Sequence, residues 1–161
     1  MSSGNIRRAV PSDAGVLSAI AQAAKRHWGY PEQWLQIWKP GLTLDAAQIA
    51  AQIAALEVYV IEAGGDVAGF YALVPGAPRW TLEHLWIRPD QMGQGHGRIL
   101  LEHALARARA SGATGLDIEA DPNAESFYQH LGGRRVGEVA APVPGAAERR
   151  LPLLVLDEIL S

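Results

Sequence analysis

The stretch Gly93-Gln94-Gly95-His96-Gly97 constrains this 161-residue chain more than any other, because of what flanks it. Residues 80–87, Trp80 to Ile87, read as a strand that closes before Pro89, and from Gly97 to Ala110 the apolar period becomes helical, with Leu101, Leu105 and Ala108 on one face. Glycines that alternate with other residues let successive backbone N–H groups point into one concavity, an anion-binding nest. The helix behind them adds the partial positive charge of its N-terminus. A diphosphate is the natural guest of such a loop. Two other phosphate loops compete for the same residues. A P-loop ends in Gly-Lys-Ser/Thr, whereas Gly97 is followed by Arg98-Ile99. The dinucleotide fingerprint needs a third glycine where Arg98 stands. Asp117 does lie at a suitable distance downstream for a ribose contact, but too little chain follows it for a doubly wound fold. A plain surface turn is the remaining alternative, and it is disfavoured by the position of the glycines between an apolar strand and an amphipathic helix.

Around this loop the chain reads as one mixed α/β domain over 1–161. Residues 6–10 predict a short opening strand closed by Pro11. Ser12-Asp13 then caps a helix whose stripe is Val16, Leu17, Ile20 and Ala24. A second helix carries Trp34, Leu35 and Trp38 and stops before Pro40-Gly41. A third starts at Thr43 and turns Leu44, Ala47, Ile49 and Ile53 inward. Strands follow at 58–61 and 67–74, joined by a Gly64-Gly65-Asp66 hairpin turn, and then at 80–87. After the helix from Gly97 comes a strand at 116–120. The next helix opens at Asp121-Pro122 and is stopped by Gly132-Gly133, and two last strands lie near 135–139 and 151–156. One central, mostly antiparallel sheet with helices on both faces accommodates this order.

Composition narrows the chemistry. The absence of cysteine excludes a thiol nucleophile, a disulfide framework and a thiolate metal site. His27, His96, His103 and His130 do not cluster as ligands, so no metal is expected. A net charge of −3 gives no reason to expect nucleic acid as partner, and Arg7-Arg8, Arg134-Arg135 and Arg149-Arg150 read as scattered solvated surface. No apolar run approaches the roughly 20 residues that span a bilayer, and residues 1–8 lack a signal-like stretch. A cytoplasmic protein without a membrane partner is the expectation.

The segment Leu85-Trp86-Ile87-Arg88-Pro89, with Gly93-Gln94-Gly95-His96-Gly97-Arg98-Ile99-Leu100-Leu101, resembles the acetyl-CoA motif of the GNAT N-acetyltransferase superfamily. Asn123-Ala124-Glu125-Ser126-Phe127-Tyr128 before Leu131-Gly132 resembles its second motif. The element order agrees, so the likeness to a small bacterial-type acetyltransferase covers nearly the whole chain and is weakest at 28–52. One position departs from the pattern: Met92 stands where the family carries Gln or Arg, with Gln91 one residue earlier. That puts one polar phosphate contact in doubt and leaves the nest intact.

The resemblance implies a GNAT-like acyl-CoA N-acyltransferase fold with acetyl-CoA as co-substrate. Within it, the strand at Leu85, Trp86 and Ile87 bonds the pantetheine arm through its backbone. The segment from Met92 through Gly93, Gln94, Gly95, His96 and Gly97, with Arg98, holds the diphosphate. Asn123 contacts the arm, and Phe127 packs beside it. By motif placement Tyr128 is the proton donor to the departing thiolate. A phenol near 10 against a thiol near 8.5 makes that transfer feasible and weakly driven. An alkyl ammonium also titrates near 10 and must be deprotonated before it attacks. Glu83 is the candidate base, on the parity of Leu85 and Ile87, where apolar neighbours raise a carboxyl pKa. His84, of opposite parity, and a water are the alternatives, and a strand bulge would reverse the comparison.

Transfer by direct attack in a ternary complex needs no acyl-enzyme. Trp28, Tyr30 and Trp34 are candidate walls of the acceptor site, with Glu32 as a cation attractor, although packing of short helices is the commoner use of such aromatics. A small-molecule amine is preferred to a protein lysine because nothing marks a peptide groove. Dimers are frequent in the superfamily, yet no residue here marks a homodimer interface. A non-catalytic acyl-CoA sensor and a dinucleotide-binding protein are the rival functions.

Overall fold

The computed structural model describes residues 4–50 and 56–160. Its centre is a seven-stranded sheet in the order β1-β2-β3-β4-β5-β7-β6. The strands are β1 (Asn5–Arg8), β2 (Glu57–Ala63), β3 (Asp66–Val74), β4 (Trp80–Ile87), β5 (Leu116–Glu119), β6 (Arg134–Ala140) and β7 (Arg150–Leu156). Every neighbouring pair is antiparallel except β4 with β5. The helices are α1 (Ala14–His27), α2 (Glu32–Trp38), α3 (Ala46–Ala50), α4 (His96–Ala110) and α5 (Glu125–His130). None of the described helices is long and apolar enough to cross a membrane.

Strand alternation divides the core in two. Val58 and Val60 of β2, with Phe70 and Ala72 of β3, meet Leu17, Ile20 and Ala21 of α1 and Leu44 and Ile49 from the α3 region. Tyr71 and Leu73 point the other way, to Leu100, Leu101, Ala104 and Leu105 of α4. The sheet thus carries helices on both faces, as expected. The β2–β3 turn is the two-glycine hairpin, with φ of 63° at Gly64 and 88° at Gly65, angles that a β-carbon would strain.

Four local expectations change. Val16 is 49% exposed rather than in the α1 stripe, and Ala47 is exposed. Ile53 lies outside the described residues. Asp13 does not cap α1 through its side chain; its carboxylate accepts from the Val10 amide at 2.8 Å and pairs with Arg7. The arginine pairs are not uniformly solvated surface. Arg7 pairs with Asp13 and Glu62, Arg8 donates to the Tyr59 hydroxyl, and Arg149 stacks on Trp38. Each finds a partner distant in sequence, so charge pattern alone gave no sign of it.

Candidate active site

The parallel pair β4–β5 is short. Trp80, Thr81 and Leu82 register with Leu116, Asp117 and Ile118, and beyond Leu82 no register joins the two strands. β4 continues to Ile87 along β3, while Glu119 of β5 pairs with Leu153 of β7. The backbone edge of residues 83–87 is therefore left without a strand partner on that side. The two strands frame a groove of about 380 Å³ that runs from the glycine loop to α1. A wider, open depression of about 680 Å³ lies between α1 and the β2–β3 hairpin. Its Arg7 and Arg88 are already paired with Asp13, Glu62 and Asp90. The chemistry-bearing residues face the smaller space.

At the mouth, Gly93 and Gly95 take φ of 78° and 84°, and a β-carbon at either would meet no atom within 4 Å. The left-handed backbone turns the loop into α4 with open space before it, which is the cradle a nest requires. Met92, Gly93, Gly95, the His96 position, Gly97 and Arg98 all line the groove, whereas Gln94 is exposed outside the lining. His96 is 1% exposed; its Nε2 is 3.3 Å from Gln91 Oε1, and its Nδ1 has no hydrogen-bond partner among the described residues. Its ring is therefore core, and Gln91 is turned towards it. Phe127 packs on Gly97 so closely that a β-carbon there would lie 3.0 Å from its ring. Arg98 donates to the Leu160 carbonyl at 3.0 Å and lies 3.4 Å from Glu102.

Further in, Leu85, Trp86, Ile87, Asn123, Phe127 and Tyr128 share the groove, with Glu83 and His84. β4 is bulged at Glu83: Leu82 pairs with Leu73 and His84 with Ala72, so Glu83 is the extra residue. The bulge lies before His84, which stays opposite in facing to Leu85 and Ile87. Leu85 and Ile87 pack with the α4-side core, whereas His84 contacts Phe70 and its neighbour Trp86 lies on the α1 side. Glu83 is exposed rather than buried among apolar neighbours, which corrects the reason given for choosing it. Among the described residues no cation lies within 4 Å of its carboxylate. His84 is the less exposed of the two. Desolvation lowers its pKa to about 4, and its Nδ1 accepts from Trp86 Nε1 at 3.0 Å. It is a weak base with that lone pair already engaged.

Tyr128 is 6% exposed, edge-on to Phe127 at 5.2 Å between ring centres. Burial pushes its phenol pKa well above the ordinary value, and the Asp121 charge pushes it further. Asp121 caps the turn after β5, accepting from the Asn123 amide at 2.8 Å. Its carboxylate also accepts from Lys25 Nζ, the Tyr30 hydroxyl and Asn123 Nδ2. Burial alone would raise the Asp121 pKa; the hydrogen bond and charge of Lys25 overcome that and hold it below the usual range.

The substrate-wall residues divide. Trp28 lines the groove at 40% exposure, while Tyr30 and Trp34 pack with Trp38 behind it. Trp34 Nε1 donates to the Pro144 carbonyl at 2.7 Å. Glu32 is held by Arg26 and Gln36, which corrects its role as a cation attractor. Asp117 is taken by Arg79 at 2.8 Å, so the ribose contact of the dinucleotide reading is engaged elsewhere. Sequence reasoning missed Lys25 and Asp121 as a pair, along with Arg149. Only the cap residue before Pro122 carried any local signal.

The segment that holds this strand, the glycine loop, α4 and Asn123–Tyr128 is also the one that matches a known family model. Residues 54–132 match the family model described as acetyltransferase (GNAT) domain. Over 80 residues it is 38% identical to the streptothricin acetyltransferase of Streptomyces lavendulae. That alignment takes in 48% of this chain and 41% of the relative, so less than half of the relative's length is matched. Among solved structures, a GCN5-related N-acetyltransferase from Rhodopseudomonas palustris superposes with a TM-score of 0.80 at 24% identity, covering 98% of this chain and 97% of that one. The PaiA N-acetyltransferase of Thermoplasma acidophilum, solved with coenzyme A, gives 0.76 at 18% identity, covering 96% and 99%. At such identities the likeness is one of fold.

Proposed function

We propose that the protein transfers an acetyl group from acetyl-CoA to a primary amine on a small molecule, by direct attack in a ternary complex. The observation that carries this reading is the parting of β4 from β5 after the Leu82–Ile118 pair, with the glycine nest at the mouth of the groove. The cradle fits the cofactor's chemistry: Gly93 and Gly95 open on empty space at the start of α4 where a diphosphate can sit, Arg98 stands beside them, and the exposed β4 edge can bond an amide-bearing arm as an added strand. A bound acetyl thioester would supply an activated acyl carbon; the amine forms its C–N bond as the C–S bond breaks, and the N–H proton it then sheds passes through solvent to the departing thiolate.

The chain's own residues do the rest. Glu83 takes the ammonium proton, directly or through a water, from its solvated position at the bulge. Tyr128 keeps its proton and donates a hydrogen bond to the sulfur as negative charge develops there. Asn123, fixed by Tyr30 and Asp121, holds its amide at the groove wall. The match to streptothricin acetyltransferase favours a small acceptor.

The test is a thiol-release assay on a broad amine panel, paired with calorimetry. The chain has no cysteine, so every thiol detected is free coenzyme A. Coenzyme A binding with thiol release on at least one amine is the expected result. Binding with no release on any amine would favour a sensor, and binding of NAD in place of coenzyme A would end the reading.

A further inference from the structure

We propose that the acceptor amine also carries a carboxylate, as an amino acid does, and that Arg149 at the end of the β6–β7 loop binds that carboxylate. The inference rests on the N-acetyltransferase reading above and names the substrate class for the same groove. Its starting point is an imbalance of charge. Arg7, Arg8, Arg79, Arg88, Arg98 and Arg107 are half-buried, and each has a carboxylate within 4 Å. Arg149 is also half-buried and, among the described residues, has none. Its Nη1 donates to the Ala141 carbonyl at 3.3 Å and its guanidinium also bears on the Tyr30 hydroxyl, which leaves part of its five donors for a ligand.

The guanidinium is held in a defined place. Its carbon lies 4.9 Å from the centre of the Trp38 ring and 5.8 Å from that of Tyr30. Stacking on the rings leaves the planar edge available, the geometry that grips a carboxylate with two parallel hydrogen bonds. The loop that carries it is pinned to α2 through Trp34 and Pro144. The Tyr30 hydroxyl beneath it bonds Asp121 and Asn123, both of which line the groove.

The neighbouring charges cannot supply the missing partner. Asp121 is saturated by Lys25, Tyr30 and the two Asn123 nitrogens. Lys25 itself sits 4.3 Å from the Trp38 ring centre and 5.0 Å from that of Tyr30, so it belongs to the same aromatic cluster. In this cluster Lys25 and Arg149 face the single carboxylate of Asp121, and the cluster borders the groove through Asp121 and Asn123. Glu83 supplies a carboxylate at the β4 bulge, elsewhere along the same groove. A site with a carboxylate at one place and an unpaired guanidinium at another complements a molecule that carries an ammonium and a carboxylate together.

The experiment compares acceptors that differ only in the carboxylate: lysine with cadaverine, arginine with agmatine, phenylalanine with phenethylamine. Thiol release is read on the unaltered protein, on Arg149→Gln and on Arg149→Lys, with coenzyme A affinity measured by calorimetry on each. The acid of at least one pair is expected to exceed its amine in kcat/KM by about tenfold or more. Arg149→Gln is expected to raise KM for the acid about 10- to 100-fold, to leave the amine partner and coenzyme A affinity unchanged, and Arg149→Lys to recover part of the loss. Equal turnover of acid and amine, or an equal loss on both in Arg149→Gln, overturns the proposal. Coenzyme A binding with no turnover of either member of any pair overturns the acceptor class alone. Failure to bind coenzyme A overturns the acetyltransferase reading beneath it.

Discussion

Tyr128 and His84 share one groove and are both shifted by burial, in the directions that keep each neutral. A phenol held above its usual pKa near 10 cannot pass a proton downhill to a thiolate whose acid lies near 8.5. In the proposed reaction its contribution would be a hydrogen bond to developing charge, at the low end of what general acids provide. Tyr128→Phe should therefore lower kcat about 100-fold and leave KM for acetyl-CoA within about twofold, by initial-rate kinetics. Full turnover in that variant would remove Tyr128 from the chemistry. For His84, the folded pKa of about 4 lies below the unfolded value near 6.5. Between those values the unfolded chain binds more protons, so stability is complete above pH 6.5 and is lost as pH falls towards 4, by about 3 kcal/mol in all. Urea unfolding from pH 7 to 4 should show this slope flattened in His84→Gln relative to the unaltered chain.

The elements on either side of the groove are joined by the buried pair of Lys25 in α1 and Asp121 in the turn between β5 and α5. Their side chains are 11% and 8% exposed, so removing one partner leaves the other charge out of water and unpaired. Lys25→Met should destabilise the fold by about 3–5 kcal/mol, and adding Asp121→Asn should recover part of that, as a double-mutant cycle in urea would measure. A double variant whose loss equals the sum of the two single losses would show that the pair is not coupled. At this scale the sequence was readable where one period dominated. β4 from Trp80 to Ile87 and the apolar face of α4 stand where the spacing predicts. Val16 fits the same helical stripe, yet it borders the open depression beside α1 with no second layer over it. The bulge was not readable, because an extra residue in a strand shows only against its partner's register.

For the whole molecule, a ligand that spans α4, β4 and the β5–α5 turn stabilises the folded state as one unit. Coenzyme A at about 100 times its Kd should add about 2.7 kcal/mol, a rise in Tm of about 5–10 °C for a domain of this length, whereas NAD at the same concentration should leave Tm unchanged. Differential scanning fluorimetry with both ligands checks this.

By itself the sequence determined the order of elements, the nest at Gly93 and Gly95, the Asp121 cap and the candidacy of Tyr128. The first three are local patterns, governed by backbone conformation and by periodicity within one segment, whereas Tyr128 was a candidate only through the resemblance of its segment to the family's second motif. What the tertiary structure decided lies in contacts between distant segments. Lys25 reaches Asp121 across 96 positions, Asn123 reaches Tyr30 across 93, and Trp34 reaches the Pro144 carbonyl across 110. Those contacts set which carboxylate is spent and which arginine lacks a carboxylate partner, while Glu83 stands exposed at the bulge that β4 forms against β3. A one-dimensional pattern carries no term for the field at a point where separate elements converge, and the choice of acceptor is made at such a point.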